Sequence, residues 1–155
     1  MRARKKGFAM DTTDETLRRV LTTTRVIALV GWSPNPDRPS HRVAAFLTRM
    51  GYRVIPVNPG HAGVVVSGEA VRASLSDIAE PVDMIDIFRR SSEVGPVVEQ
   101  ALALQGVQTI WMQLGVIDHE AAAIARVAGL TVVMDRCPAI DFPRLLGSQR
   151  IAPAV

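Results

Sequence analysis

Five places in the chain put neutral and cationic donors where apolar runs end. They are Gly31-Trp32-Ser33, Val57-Asn58-Pro59, Phe88-Arg89-Arg90-Ser91, Gln113-Leu114-Gly115 and Asp135-Arg136-Cys137. Carboxylates are sparse at these ends, with Asp135 the exception. That balance suits a ligand rich in phosphate and amide groups better than a metal ion. Gly31 lets the backbone turn sharply and approach a ligand closely. The amides of a helix expected to open at Ser40 then face the same loop as an anion site. Arg38, His41 and Arg42 lie in that loop and first turn, where they can add charge and donors.

Groups that could run a reaction are not assembled. His41, His61 and His119 are expected at a helix start, in a loop and in a helix, without neighbours suited to proton or phosphoryl transfer. Asp83 and Asp86 are three apart, so on a strand they face opposite sides. No His/Cys/Asp group has metal-ligand spacing. Asp135-Arg136 reads as a local ion pair or a contact to loop backbone. Cys137, the single cysteine, follows the last strand. It reads as a small buried thiol, with exchange at a ligand's sulfur as the alternative. It excludes an internal disulfide and points to a reducing compartment, hence the cytoplasm.

The elements that must position these residues alternate regularly. Residues 1–11 read as a flexible basic tail, and residues 12–155 as a single domain. Thr12 or Thr13 caps a first helix running to Thr23, with Asp14 and Glu15 at its positive end. Residues 25–31 are almost wholly apolar, as a central strand covered on both faces should be. A proline-rich loop leads to a helix from Ser40 to Met50, stopped by Gly51. Strand two covers residues 52–57. Short edge segments around Gly68 and a helical turn at 74–78 precede a strand at 82–88. A helix capped by Ser91 or Ser92, a strand at 107–114, a helix capped by Asp118 and a strand at 130–135 follow. Residues 138–146 close with a short helix. The pattern predicts a Rossmann-like, doubly wound α/β domain, with a mostly parallel sheet of about five strands and helices on both faces.

Composition narrows the ligand. The formal net charge of +3, with two tryptophans, one tyrosine and four phenylalanines, offers no base-stacking platform for nucleic acid. No apolar run nears the ~20 residues that cross a bilayer. The strand-one loop lacks the later glycines of a dinucleotide fingerprint, and Asn58 stands where an NAD site carries an acid. A small oxidoreductase with an atypical NAD(P) loop is therefore the second reading.

The runs Val30 to Val43 and Gly51 to Pro59 resemble the small CoA-binding protein family, whose members are similar to the CoA-binding domain of the succinyl-CoA synthetase alpha subunit. Asp86 to Ser91, Trp111 to Gly115 and Val133 to Cys137 extend the resemblance in order. It implies coenzyme A or an acyl-CoA as the ligand. By position, Gly31, Trp32 and Ser33 would line the diphosphate loop, and Arg38 with His41 or Arg42 would neutralise phosphates. Val57, Asn58 and Pro59 would lie near the nucleotide, Phe88 and Arg89 would flank the adenine or its phosphate, and Gln113 would lie near the pantetheine arm. Trp32 is bulkier and Asn35 less basic than the family pattern. The synthetase passes phosphate through a histidine of a second domain that has no counterpart in these 155 residues, so the resemblance implies a ligand-binding protein without a catalytic constellation.

Overall fold

The computed structural model describes residues 12–151; the expected basic tail at 1–11 lies outside the described residues. Helix α1 (Asp14–Thr23) starts where Thr13 accepts a hydrogen bond from the Thr16 amide. Strand β1 (Val26–Val30) leads through a loop to α2 (Pro39–Arg49) and β2 (Arg53–Val57). A short antiparallel hairpin, β3 (Val65–Val66) with β4 (Glu69–Ala70), and a 3-10 turn (Leu75–Asp77) come before β5 (Met84–Ile87). Then follow a 3-10 turn (Ser91–Glu93), α3 (Val94–Leu102), β6 (Thr109–Met112), α4 (His119–Val127), β7 (Thr131–Val133) and α5 (Pro138–Leu146).

The main sheet has five strands in the order β2-β1-β5-β6-β7, all parallel. Neighbouring side chains on each strand point to opposite faces, so the apolar run of β1 splits between two cores. Ala28 and Val30 join Ile55, Ile85 and Ile110 under α3 and α4. Ile27 and Leu29 join Val54, Met84 and Trp111 against α1, α2 and α5. The crossover from β2 to β5 has no α-helix. Leu75, Ile78 and Val82 cover the sheet there instead, which accounts for the weak periodicity of that stretch.

Two local features set the register. Asp83 Oδ2 accepts from the amides of Arg25 (2.9 Å) and Val26 (2.8 Å), fastening the start of β1 to the start of β5. Asp86, one face over, is fully buried between Leu29 and Trp111 in the ladder. The strand ends differ from sequence expectation. The helix after β5 begins at Val94 behind the 3-10 turn, rather than under a cap from Ser91 or Ser92. Ser91 Oγ instead accepts from the Ile117 amide at 3.0 Å, holding the loop after β6.

Candidate functional site

The order β2-β1-β5 creates a switch point, because the chain leaves β1 toward one edge and returns to β5 on the other side. Loops that diverge at such a point leave a crevice beyond the carboxyl ends of the strands. Here the loop after β1 and the segment Phe88 to Glu93 form its two walls.

Three cavities adjoin in this crevice. The central one, about 630 Å³, is lined by Gly31, Trp32, Ser33, Arg38, Ser40 and Asn58 on one wall and by Phe88, Arg89, Arg90 and Glu93 on the other. One flank, about 450 Å³, is walled by Val30, Val57, Pro59, Leu75, Pro96 and Val97. The other flank, about 700 Å³, is walled by Val43, Phe46, Phe88, Val116, Gln113 and Cys137, with Arg42 at its edge. Arg89 borders all three.

The donors in the central cavity can be followed one by one. The Gly31 and Trp32 amides both donate to the Val57 carbonyl, at 2.9 and 3.3 Å, so they fasten the loop to β2. Asn58 completes the fastening: its Nδ2 donates to the Trp32 carbonyl at 2.6 Å, and its Oδ1 accepts from Gly60. Asn35, Asp37 and Arg38 use their amides within the loop. Four lining residues, Ser33, Ser40, Arg89 and Arg90, have amides that donate to no backbone carbonyl among the described residues. Ser40 is the second residue of α2, behind Pro39, where the helix carries partial positive charge. Ser33, Ser40 and the Arg38 guanidinium, which no carboxylate pairs among the described residues, line this cavity together, a donor set whose chemistry suits an anion.

Opposite them, Arg89 is already engaged. Its Nε donates to Glu93 Oε1 at 2.6 Å, and Arg90 reaches the other Glu93 oxygen at 3.3 Å. The Arg89 guanidinium holds the Glu93 carboxyl below the usual carboxylate range. Three guanidiniums thus stand against one carboxylate in this cavity.

Several expected residues have other places. The His41 ring borders none of the three cavities; its Nδ1 lies 3.0 Å from the Ser33 carbonyl and its ring centroid 5.8 Å from that of Trp32. The Trp32 ring is itself buried, packed between a tilted His41 ring and an edge-on His61 ring, with Nε1 unpartnered among the described residues. Arg42 donates to the Asp37 carbonyl at 2.6 Å, bracing the loop from outside. Of the two expectations for Asp135-Arg136, the contact to loop backbone holds, with Asp135 accepting from the Gly115 amide; the local ion pair does not form, because Arg136 forks onto Asp141 (2.8 and 2.9 Å). Gln113 is buried at the wall of the 700 Å³ cavity, and its Oε1 has no hydrogen-bond partner among the described residues. Sequence reasoning missed Ser92, Glu93, Pro96 and Val97 as wall residues. The signal was available, since helix starts beside a switch point face the crevice.

A five-stranded parallel sheet with a donor-lined crevice at its switch point defines a Rossmann-like α/β domain. Within that class the chain belongs to the CoA binding domain family, which matches residues 25–143. The YneT protein of Bacillus subtilis (strain 168) is 36% identical over 121 residues, covering 78% of this chain and 87% of that protein. The structure of cell-free ID.343 from Thermus thermophilus is similar at 38% identity and a TM-score of 0.82, over 87% of this chain and all of the other. A hypothetical protein from Pyrococcus horikoshii OT3 is similar at 35% identity and a TM-score of 0.83, over 94% of this chain and 100% of that one. Among the described residues no helix is long and apolar enough to cross a membrane.

Proposed function

We propose that the chain binds coenzyme A or an acyl-CoA along the three cavities, as a ligand-binding protein of the cytoplasm with a small molecule as its partner. The observation that carries this reading is the order of the cavities. A polar, cationic cavity lies between two apolar ones, and coenzyme A has its phosphates between an adenine and a pantetheine arm. The cavity of Val57 and Pro59 takes the adenine, with Ser74 and Gln100 at its wall for the base edge. Ser33, Ser40, Arg38 and Arg89 take the phosphates. The cavity of Gln113 takes the arm, and Phe88, which borders this cavity as well as the central one, packs along the arm rather than on the adenine.

The residues present fit that ligand. Val43, Phe46, Phe88 and Val116 give the third cavity apolar walls that suit the methylene groups of the pantetheine arm. No side chains gather around the crevice in the manner of an acid–base pair or an activated nucleophile, so binding and presentation of the coenzyme is the assigned role. Calorimetric titration with coenzyme A, dephospho-CoA and NADP tests it. Coenzyme A should bind tightest; tight NADP binding without coenzyme A binding would overturn the reading in favour of a nicotinamide enzyme.

A further inference from the structure

We infer that the outer face of α4 is a self-association surface, on which a second copy of this chain lays its own α4 antiparallel. The helix packs on α3 and β7 through Ala121, Ala122 and Ala125. At about 3.6 residues per turn, Glu120, Ala123, Ile124, Val127 and the C-cap Ala128 fall together on the opposite side, and all five are exposed. Ile124 is 52% and Val127 90% exposed, and Ile117, just before the helix, is 41% exposed. The solvated face of a short helix carries charge, as α1 does with Asp14, Glu15, Arg18 and Arg19 at its exposed positions. From Ala123 to Ala128 the outer face of α4 carries none, and Arg126 lies half-buried at its flank. Exposed apolar side chains are ordinary when scattered, but joined along one face they mark an interaction surface.

The charges at the two ends of the helix say what covers that face. Neither Glu120 nor Arg126 is paired with an opposite charge among the described residues. They stand about 9 Å apart along the axis and about 120° apart around it, so they do not meet within one helix. A copy related by a two-fold axis beside Ala123 reverses their order. Glu120 of each chain then stands level with Arg126 of the other, and two ion pairs close the ends of a centre made of Ala123, Ile124 and Val127. Such self-complementarity is what an isologous contact requires. Ile117 of each chain carries the apolar patch past the helix start, toward Ala128 and Gly129 of the other. The helix has nine residues and is about 14 Å long. Its contact area therefore falls below the roughly 1,200 Å² of a standard stable interface, and the dimer is reversible. No residue of α4 lines the three cavities of the crevice, so the pairing leaves the ligand site open.

Sedimentation velocity of the full chain over about a hundredfold range of concentration tests the pairing. The mass should rise from monomer toward dimer as concentration rises. Val127→Glu should hold the chain monomeric throughout, and Val127→Ser, which adds no charge, should weaken association at least about tenfold. Glu120→Arg alone and Arg126→Glu alone should each weaken it by about tenfold, because like charges then face one another twice; the two together should restore it. The changed side chains lie outside both cores, so circular dichroism should show every variant folded. A parent chain that stays monomeric at every concentration would overturn the inference. A dimer that survives Val127→Glu would place the interface elsewhere and overturn it too. If the double reversal dimerises no better than either single one, the antiparallel register fails, and the inference with it.

Discussion

Gly31 and Phe88 meet backbone to backbone where β1 and β5 part: a β-carbon on Gly31 would stand 2.6 Å from the Phe88 carbonyl oxygen. Gly31 also has φ +92°, a region that side-chain-bearing residues rarely adopt. The close approach brings the two walls of the central cavity together. Gly31→Ala should therefore combine strain and clash, destabilising the fold by about 2–4 kcal/mol. Gly129 has the same φ and open space around it, so Gly129→Ala should cost only the strain, about 1–2 kcal/mol. Urea denaturation of the two variants makes the comparison. Equal losses would show that the approach to Phe88 is not tight.

Arg38 is exposed and has no carboxylate partner among the described residues, so its removal leaves no buried charge behind. Arg38→Ala should leave stability within about 0.5 kcal/mol. It should weaken coenzyme A binding by about 1.5–3 kcal/mol, the range of a charge-assisted bond. A change in affinity of a few tenths, read by calorimetry, would place Arg38 in solvent.

The order of strands and helices was legible before any coordinates, because strands covered on both faces carry unbroken apolar runs and the helices between them end at Gly51 and Gly129. The crevice was legible too, through Gly31, Asn58 and Arg89 at strand ends. What escaped was set by contacts between distant segments. Nothing local in residues 31–32 says that their amides close on Val57, leaving Ser33 and Ser40 among the open donors. Packing of Trp32 against His41 likewise depends on how α2 lies over the β1 loop. The Arg136 fork onto Asp141 follows from the first turn of α5, which brings a carboxylate closer than its own neighbour Asp135.

Glu93 neutralises Arg89 at the cavity wall through a pair that is partly exposed on both sides. Such solvent-screened pairs contribute little to folding, so Glu93→Gln should cost little stability. The carboxyl is held below its usual range by Arg89 and is charged at neutral pH, where it opposes a phosphate. Its removal should tighten coenzyme A binding measurably at low salt. The gain should fade near 1 M salt, where the Debye length is about 3 Å. Unchanged affinity at low salt would take Arg89 out of the phosphate site.

Asp86 is a carboxyl in the middle of the sheet, fully buried between Leu29 and Trp111, with neither oxygen hydrogen-bonded among the described residues. Burial pushes it well above the usual carboxylate range, so the folded chain keeps this proton to higher pH than the unfolded chain, whose aspartates titrate near about 3.9. Unfolding then releases a proton. The contribution of Asp86 to stability is fully present below about pH 4 and falls as pH rises toward the folded value. Asp86→Leu removes both the titration and the unsatisfied oxygens, and should raise stability at pH 8 by about 1–3 kcal/mol. Asp86→Asn removes the titration but keeps a buried polar group. The difference in urea stability between parent and Asp86→Leu should therefore widen from pH 5 to pH 8, and that between Asp86→Asn and Asp86→Leu should stay constant. A parent–Leu difference that does not change with pH would mean the Asp86 carboxyl is ionised and paired in solution, and the packing around Leu29 and Trp111 would have to open to admit its partner.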